Sequence, residues 1–241
     1  MIIIRLDVVC RASSEGDSTM DSTLVTILTL ISGISWTLVY LILIMRGFRD
    51  KTYGMPLFAL TFNLSWEFLY AFVFHNGDSI TLQRVVNTIW CLFDLVIVYT
   101  YLRYGRNEFP KNVDRKWFLP WSVAVMVVSF ATLYVAGLEF GVSWGAAYSA
   151  FAQNLMMSAL FIGMLIGRNG VRGQSIYAAI FKWIGTAAPT IQVYAQTGSL
   201  LILTFGLGCF FFDVVYIVLL REKFREAGLN PWQNPFARQP A

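Results

Sequence analysis

The chain has 241 residues, of which 57% are hydrophobic and 13% charged, with a mean hydropathy of +0.60. A soluble domain carries about 25% charged residues, so an ordinary water-soluble enzyme is excluded, and the apolar content excludes disorder. The net charge of +4 does not point to nucleic acid, because Lys and Arg fall in short connections between apolar runs, a pattern that reports orientation in a membrane protein.

Residues 1–23 read as a loose N-terminal tail. Seven apolar segments follow, judged against the roughly 20 residues a membrane-spanning helix needs. They are Leu24–Met45, Met55–Phe74, Val85–Tyr104, Phe118–Leu138, Gly141–Ile166, Ser175–Ala188 and Ser199–Leu220. The sixth is short and stops at Pro189, because proline cannot continue a helix without losing a hydrogen bond, with Thr190–Thr197 as an extension after a break. Residues 221–241, with Pro231, Pro235 and Pro240, read as a short cytoplasmic tail.

The basic residues test this count. Segments 1–2 are joined through Arg46, Arg49 and Lys51, segments 3–4 through Arg103, Arg106, Lys111, Arg115 and Lys116, and segments 5–6 through Arg168 and Arg172. With Arg221, Lys223, Arg225 and Arg238 of the tail, fourteen fall on one side, against Arg5, Arg11 and Arg84 on the other. This predicts an all-α integral membrane protein: a bundle of seven transmembrane helices, N-terminus luminal or extracellular, C-terminus cytoplasmic, with residues 24–220 as the membrane domain. No repeat between the halves is evident in the sequence.

Cys10, Cys91 and Cys209 lack the number and spacing of a disulfide framework or a zinc site. The single histidine, His75, argues against a His-rich metal centre or a Ser-His-Asp triad. Chemistry must therefore come from elsewhere, and acids inside a membrane are costly and usually functional. Three lie well within segments: Glu67, Asp94 and Asp213. Asn63, Trp66, Glu67 and Tyr70 stand at i, i+3, i+4 and i+7, one helical face. A carboxyl in an apolar pocket keeps its proton, since desolvation disfavours the anion, and it is then available as a general acid. Asp94 follows Trp90, and Asp213 follows three phenylalanines and precedes Tyr216. Aromatic faces attract cations. Helix rise puts Glu67 and Asp94 roughly level, about 10 and 14 Å from the luminal end, with Asp213 deeper, at about 21 Å. In segment 5, Tyr148, Gln153 and Asn154 either line a cavity or tie helices together. Lys182, near the start of segment 6, either pairs with an acid or snorkels to the cytoplasmic interface, and its position favours snorkelling. The Gly167–Gly173 loop is not a phosphate loop, since the Lys-Ser/Thr ending is missing.

Lys51-Thr52-Tyr53-Gly54-Met55-Pro56, Asn63-Leu64-Ser65-Trp66-Glu67-Phe68-Leu69-Tyr70, the Gly167–Gly173 loop and Asp213 with Tyr216 make the chain resemble a known family. It is similar, over nearly all of residues 24–228, to the small integral-membrane terpene cyclases of fungal meroterpenoid and indole-diterpene pathways, which have bacterial relatives. The resemblance implies a prenylated substrate, often with a terminal epoxide, carrying a polyketide, aromatic or indole unit. It implies protonation of the epoxide or an alkene, followed by sequential alkene attack within the bilayer. The implied catalytic acids are Glu67 and Asp213, with Asp94 third. Asn63 and Tyr70 would orient the Glu67 carboxyl, and Trp66 or Trp90 would face the cation. Tyr216 and Gln153 complete the substrate-binding candidates. No diphosphate leaves, so no metal or cofactor is implied, and neither DDxxD nor DxDD occurs. The compartment would be the endoplasmic reticulum in a fungus and the cytoplasmic membrane in a bacterium.

Two other functions compete. A retinal protein needs a lysine in the last segment, and segment 7 has none, although a ligand receptor stays open. A small proton-coupled transporter could use the three acids as a relay.

Overall fold

A computed structural model describes residues 20–74 and 81–233. Cys10, Arg5, Arg11, His75, Arg238, most of the N-terminal tail and the end of the C-terminal tail lie outside the described residues.

The described chain is helical: α1 (Ser22–Arg49), α2 (Leu57–Phe68, continued by a π turn at Leu69–Val73), α3 (Leu82–Tyr104), α4 (Phe118–Glu139), α5 (Gly141–Arg168), α6 (Ile176–Thr197) and α7 (Leu200–Glu226). Five of them, α1, α3, α4, α5 and α7, are long and apolar enough to cross a membrane, and Leu57–Val73 is shorter. Side-chain oxygens mark several starts. Asp21 accepts from Thr23 N at 3.1 Å and Thr81 from Arg84 N at 3.3 Å, satisfying amides that the first turn leaves open. In the α3–α4 connection the Lys116 backbone N–H, aided by its ammonium, holds the exposed Asp114 carboxyl below its ordinary value.

The molecule is apolar outside and polar within. Ile34, Val127, Leu207 and Phe211 are exposed, while Ser32, Thr61, Asn63, Glu67, Asp94, Gln153, Lys182 and Asp213 are buried. A bilayer solvates the first set and forces the second to find partners inside the bundle.

α6 corrects the sequence reading. It runs unbroken through Pro189 to Thr197, so Thr190–Thr197 extends it without the break expected at the proline. Proline has no N–H for the carbonyl four residues back, here Gly185 O. Ser32 Oγ of α1 donates to that carbonyl at 2.8 Å. A neighbouring helix thus supplies the missing donor, as membrane helices with internal proline require. Gly185 allows the approach, since a Cβ there would stand 2.7 Å from Trp36 Cδ1.

Helix neighbours also reveal an order that the sequence hides. α3 packs on α1 and α2, α7 packs on α5 and α6, and the two triplets meet through α1–α6 and α2–α5. α4 packs chiefly on α2 and α5, outside that seam. Exchanging α1, α2, α3 for α5, α6, α7 leaves these neighbour relations unchanged. The register agrees: α1 and α5 both have 28 residues, and one constant shift carries Ser22 onto Gly141, Arg49 onto Arg168, Gly54 onto Gly173 and Leu57 onto Ile176. The chain is therefore three helices, a connecting helix and three helices again, and the expectation of no repeat is overturned.

The connections carrying most of the basic residues gather at one end. Arg172 Nε donates to Asp50 O at 2.8 Å and its NH2 to Lys51 O at 2.6 Å. Arg168 NH2 reaches Tyr53 O at 2.9 Å, and Gly173 N reaches Asp50 Oδ2 at 2.8 Å. Gly173 has φ +72°, and a Cβ there would lie 2.6 Å from Thr52 Cγ2, so glycine is required on both counts. Glu108, from the α3–α4 connection, binds Arg168 Nε and NH2 at 2.9 Å each and accepts from Thr52 Oγ1.

Candidate active site

Each triplet holds one polar cluster, and the two clusters are built alike. In the first, Asn63 Nδ2 on α2 donates to Asp94 Oδ2 on α3 at 2.8 Å and to Glu67 Oε1, one turn along its own helix, at 3.1 Å. The same amide donates to the Tyr40 hydroxyl of α1, which in turn donates to Glu67 Oε1. In the second, Lys182 Nζ on α6 donates to Asp213 on α7, 2.7 Å from Oδ1 and 2.9 Å from Oδ2, and to Ser158 Oγ on α5 at 2.6 Å. The two nitrogen–aspartate pairs are each separated by 31 residues. The repeat shift carries Asn63 onto Lys182 and Asp94 onto Asp213. It carries Glu67 onto Thr186, so the extra acid belongs to the first triplet alone.

All of these groups are buried; Glu67 and Asp94 are 0% exposed. One oxygen of each of these two carboxyls, Glu67 Oε2 and Asp94 Oδ1, has no hydrogen-bond partner. Among the described residues no hydrogen bond joins the two clusters. Glu67 and Asp94 therefore meet directly, carboxyl against carboxyl, as well as through Asn63, and among the described residues Asp213 is not brought to them by any direct contact.

Lys182 departs from expectation. It is 2% exposed and paired with Asp213 rather than snorkelling, because the bundle interior offers it a carboxylate and a hydroxyl.

The stripe containing Glu67 divides between two neighbours. Asn63 and Glu67 face α1 and α3, as their partners show. Trp66 instead donates to Ala146 O and Ser149 Oγ of α5 at 3.2 and 3.1 Å, and Tyr70 packs on Trp66 with ring centroids 4.8 Å apart. Tyr40, not Tyr70, is the phenol on the Glu67 carboxyl. Trp90 stacks on Tyr40 at 6.0 Å and donates to Thr37 Oγ1 at 3.1 Å. Phe93 stands 5.9 Å from Tyr40 on another side. Tyr216 donates to Gln174 Oε1 of the α5–α6 connection at 2.9 Å, and Gln153 is buried with Oε1 unpartnered. The π turn begins two residues after Glu67; such insertions occur frequently at functional sites.

Sequence reasoning missed Tyr40 and Ser158, and it ranked the pairing of Lys182 with an acid below snorkelling. The one sequence signal for them was the equal spacing of the two nitrogen–aspartate pairs, which has meaning only once the repeat is known.

The family model of Pyr4-like transmembrane terpene cyclases matches residues 17–225. A terpene cyclase of Aspergillus fumigatus, pyr4, is 27% identical over 202 residues, covering 79% of this chain and 83% of that protein. Asnovolin H synthase nvfL of Aspergillus novofumigatus is 29% identical over 167 residues, 69% of this chain and 68% of the relative. The Pyr4-family terpene cyclase mfmH of Annulohypoxylon moriforme is 31% identical over 168 residues, 66% of this chain and 65% of the relative. No solved structure matches.

Proposed function

The chain belongs to the Pyr4-like transmembrane terpene cyclases, and from that premise we propose that it cyclises a prenylated substrate by protonating a terminal epoxide or alkene inside the bilayer. The observation that carries this reading is the Glu67 carboxyl. Oε1 already accepts from Tyr40 and Asn63, while Oε2 is buried and accepts from no donor among the described residues, and the carboxyl lies against that of Asp94. A proton on Glu67 therefore belongs on Oε2, the oxygen to which no donor is bound.

The proton passes from Oε2 to the epoxide oxygen, a C–O bond opens, and the alkenes close in sequence on the resulting cation. A final deprotonation leaves an isomer of the substrate, with no leaving group and no change in mass. Asp94, tied to Glu67 through Asn63, holds the donor network in place. Lys182 pairs with Asp213, so Asp213 assists Glu67 or positions the epoxide instead of giving the first proton. Trp90, Tyr40 and Phe93 present rings whose faces steady positive charge, and Trp66, Tyr70, Tyr216 and Gln153 complete the binding surface. A closed apolar site keeps water from quenching the cation. The substrate carries an oxygenated polyketide, aromatic or indole unit. The seven helices all span the membrane, with residues 24–220 as the membrane domain, residues 1–23 luminal and residues 221–241 cytoplasmic; a fungal source places the protein in the endoplasmic reticulum.

The test is turnover in membranes containing the expressed chain, with prenylated epoxides and the matching alkenes, products resolved by mass spectrometry and NMR. The expected result is a ring-containing isomer of unchanged mass, with Glu67→Gln slower by about 10²–10⁴-fold, the usual worth of a general acid. Wild-type turnover by both Glu67→Gln and Asp213→Asn in folded protein would overturn the mechanism. Flux of substrate into proteoliposomes without any product would favour transport instead.

A further inference from the structure

A cavity of about 680 Å³ opens at the end of the bundle where the basic connections meet. Its volume is in the range of small-molecule sites, and no part of the two acid clusters lines it. Its walls grade along the bundle axis. At the outer end stand Arg168, Arg172, Glu108 and Tyr53; further in, the wall is Leu57 of α2 with Leu160 and Met164 of α5. Gly163 and Gly167, one turn apart on α5, also line it, and a Cβ on either would meet nothing within 4 Å.

The polar end is built and carries spare donors. Arg168 is fixed by Glu108 and Tyr53 O, and its guanidinium lies 4.3 Å from the centroid of the Tyr53 ring. Burial pushes the Tyr53 phenol above its ordinary value, opposed by the charge of Arg168, so this phenol stays a neutral donor. Arg172 is fixed through Nε and NH2, while its NH1 makes no hydrogen bond among the described residues and lies 3.7 Å from Glu108 Oε1. A guanidinium has five N–H donors, so Arg172 can bind a further acceptor without giving up the contacts that hold it. Two arginines against one glutamate leave the rim positive.

The inner end approaches the chemistry. Leu160 lies two residues beyond Ser158, which hydrogen-bonds Lys182 of the Asp213 cluster. On α2, Leu57 and Glu67 are ten residues apart, about 15 Å along a helix. A molecule with a polar head and a hydrocarbon chain enters a bilayer with its head at the interface, and this cavity has the matching gradient.

Building on the cyclase reading, we propose that this cavity is the head-group site: it binds an acceptor-rich, weakly acidic oxygen group, such as an enol, phenol or carboxyl, through Arg172 and Tyr53, and directs the attached prenyl chain inward along Leu160 toward the acids. An anionic phospholipid shares this head chemistry, and the experiment separates the two.

Two substrates with one prenyl epoxide chain are compared, one bearing a free acidic hydroxyl on its head and the other the methyl ether. They are turned over by the full chain in phosphatidylcholine nanodiscs, with or without phosphatidylserine. Arg172→Gln is expected to raise KM for the free hydroxyl about tenfold or more, the worth of a charge-assisted hydrogen bond, to change KM little for the ether, and to leave kcat within a factor of about two; Arg172→Lys is intermediate. Gly163→Leu fills the cavity where the structure has room, and is expected to raise KM for both substrates without lowering the thermal midpoint. Equal KM for both heads in wild type and Arg172→Gln, with turnover intact, overturns the head-group site and leaves the cyclase reading standing. A wild-type KM that rises with phosphatidylserine, and a Gly163→Leu KM that does not, assigns the cavity to lipid and also overturns it. Absence of turnover by folded wild-type protein with either head counts against the cyclase reading itself, and so against the proposal resting on it.

Discussion

Lys182 and Asp213 form an ion pair whose side chains are both 2% exposed. Removing one partner of a buried pair leaves an uncompensated charge and costs about 3–5 kcal/mol, while replacing both with apolar groups is often neutral. Lys182→Met is therefore expected to lower the thermal midpoint sharply in detergent, and Lys182→Met/Asp213→Leu to recover most of the loss. Equal destabilisation by both variants would mean that the pair is not what Lys182 contributes. Sequence reasoning allowed Lys182 an acid partner but favoured the interface, because it weighed the residue against its own helix, and the partner lies 31 residues away. Tyr40 escaped for the same reason: its role is set by Glu67 and Asn63 of another helix. The acids were legible because an ionisable group in an apolar run stands out alone. Their partners were not, because serines, tyrosines and asparagines are ordinary in such runs. Even the stripe around Glu67 was only half legible, because α2 sits between α3 on one side and α5 on the other. A stripe as wide as i to i+7 spans both neighbours, so Glu67 and Trp66 part company.

At the scale of the helices, hydropathy placed six of the seven segments close to their helices, and the helices outrun the apolar runs at their ends. α1 continues to Arg49 and α7 to Glu226, since basic side chains in a last turn favour the helix rather than ending it. Pro189 misled because the rule against helix-interior proline assumes that no other donor reaches the freed carbonyl. Ser32 is that donor, so the stability of α6 depends on a residue of α1. Ser32→Ala leaves Gly185 O buried and unpaired and should cost about 1–3 kcal/mol. Gly185→Ala drives a Cβ into Trp36 and should cost a similar 1–3 kcal/mol by overpacking. Thermal unfolding of the two variants in detergent checks both. A Ser32→Ala midpoint equal to wild type would show that α6 satisfies its proline without α1.

For the whole molecule, two triplets related by one shift carry different polar clusters on one helical design. The first copy pairs Asp94 with a neutral amide and gains Glu67; the second pairs Asp213 with an ammonium and has Thr186 where the first has the acid. Few identities survive between the copies, Arg49 with Arg168 and Gly54 with Gly173 among them, so backbone register shows the relation where residue types do not. Repeats of this kind also occur in transporters, and it is the family match that decides for cyclisation. The repeat also fixes what orientation must mean. The α1–α2 and α5–α6 connections are equivalent and interlock at one end, so both lie on one side of any membrane the bundle crosses, and the charge bias predicts that side to be cytoplasmic. α4, with 22 residues and about 33 Å of helix, is long enough for the roughly 30 Å hydrocarbon layer. Its flanking residues Lys111 and Glu139 are exposed, and Cys91 and Cys209 are buried. Single cysteines placed at Lys111→Cys and Glu139→Cys, in a Cys10→Ser background, should therefore report opposite faces. In sealed microsomes with the cytoplasmic face outward, a membrane-impermeant maleimide is expected to label Lys111→Cys at once and Glu139→Cys only after permeabilisation. The reverse order would invert the orientation, and immediate labelling of both would show that α4 does not cross.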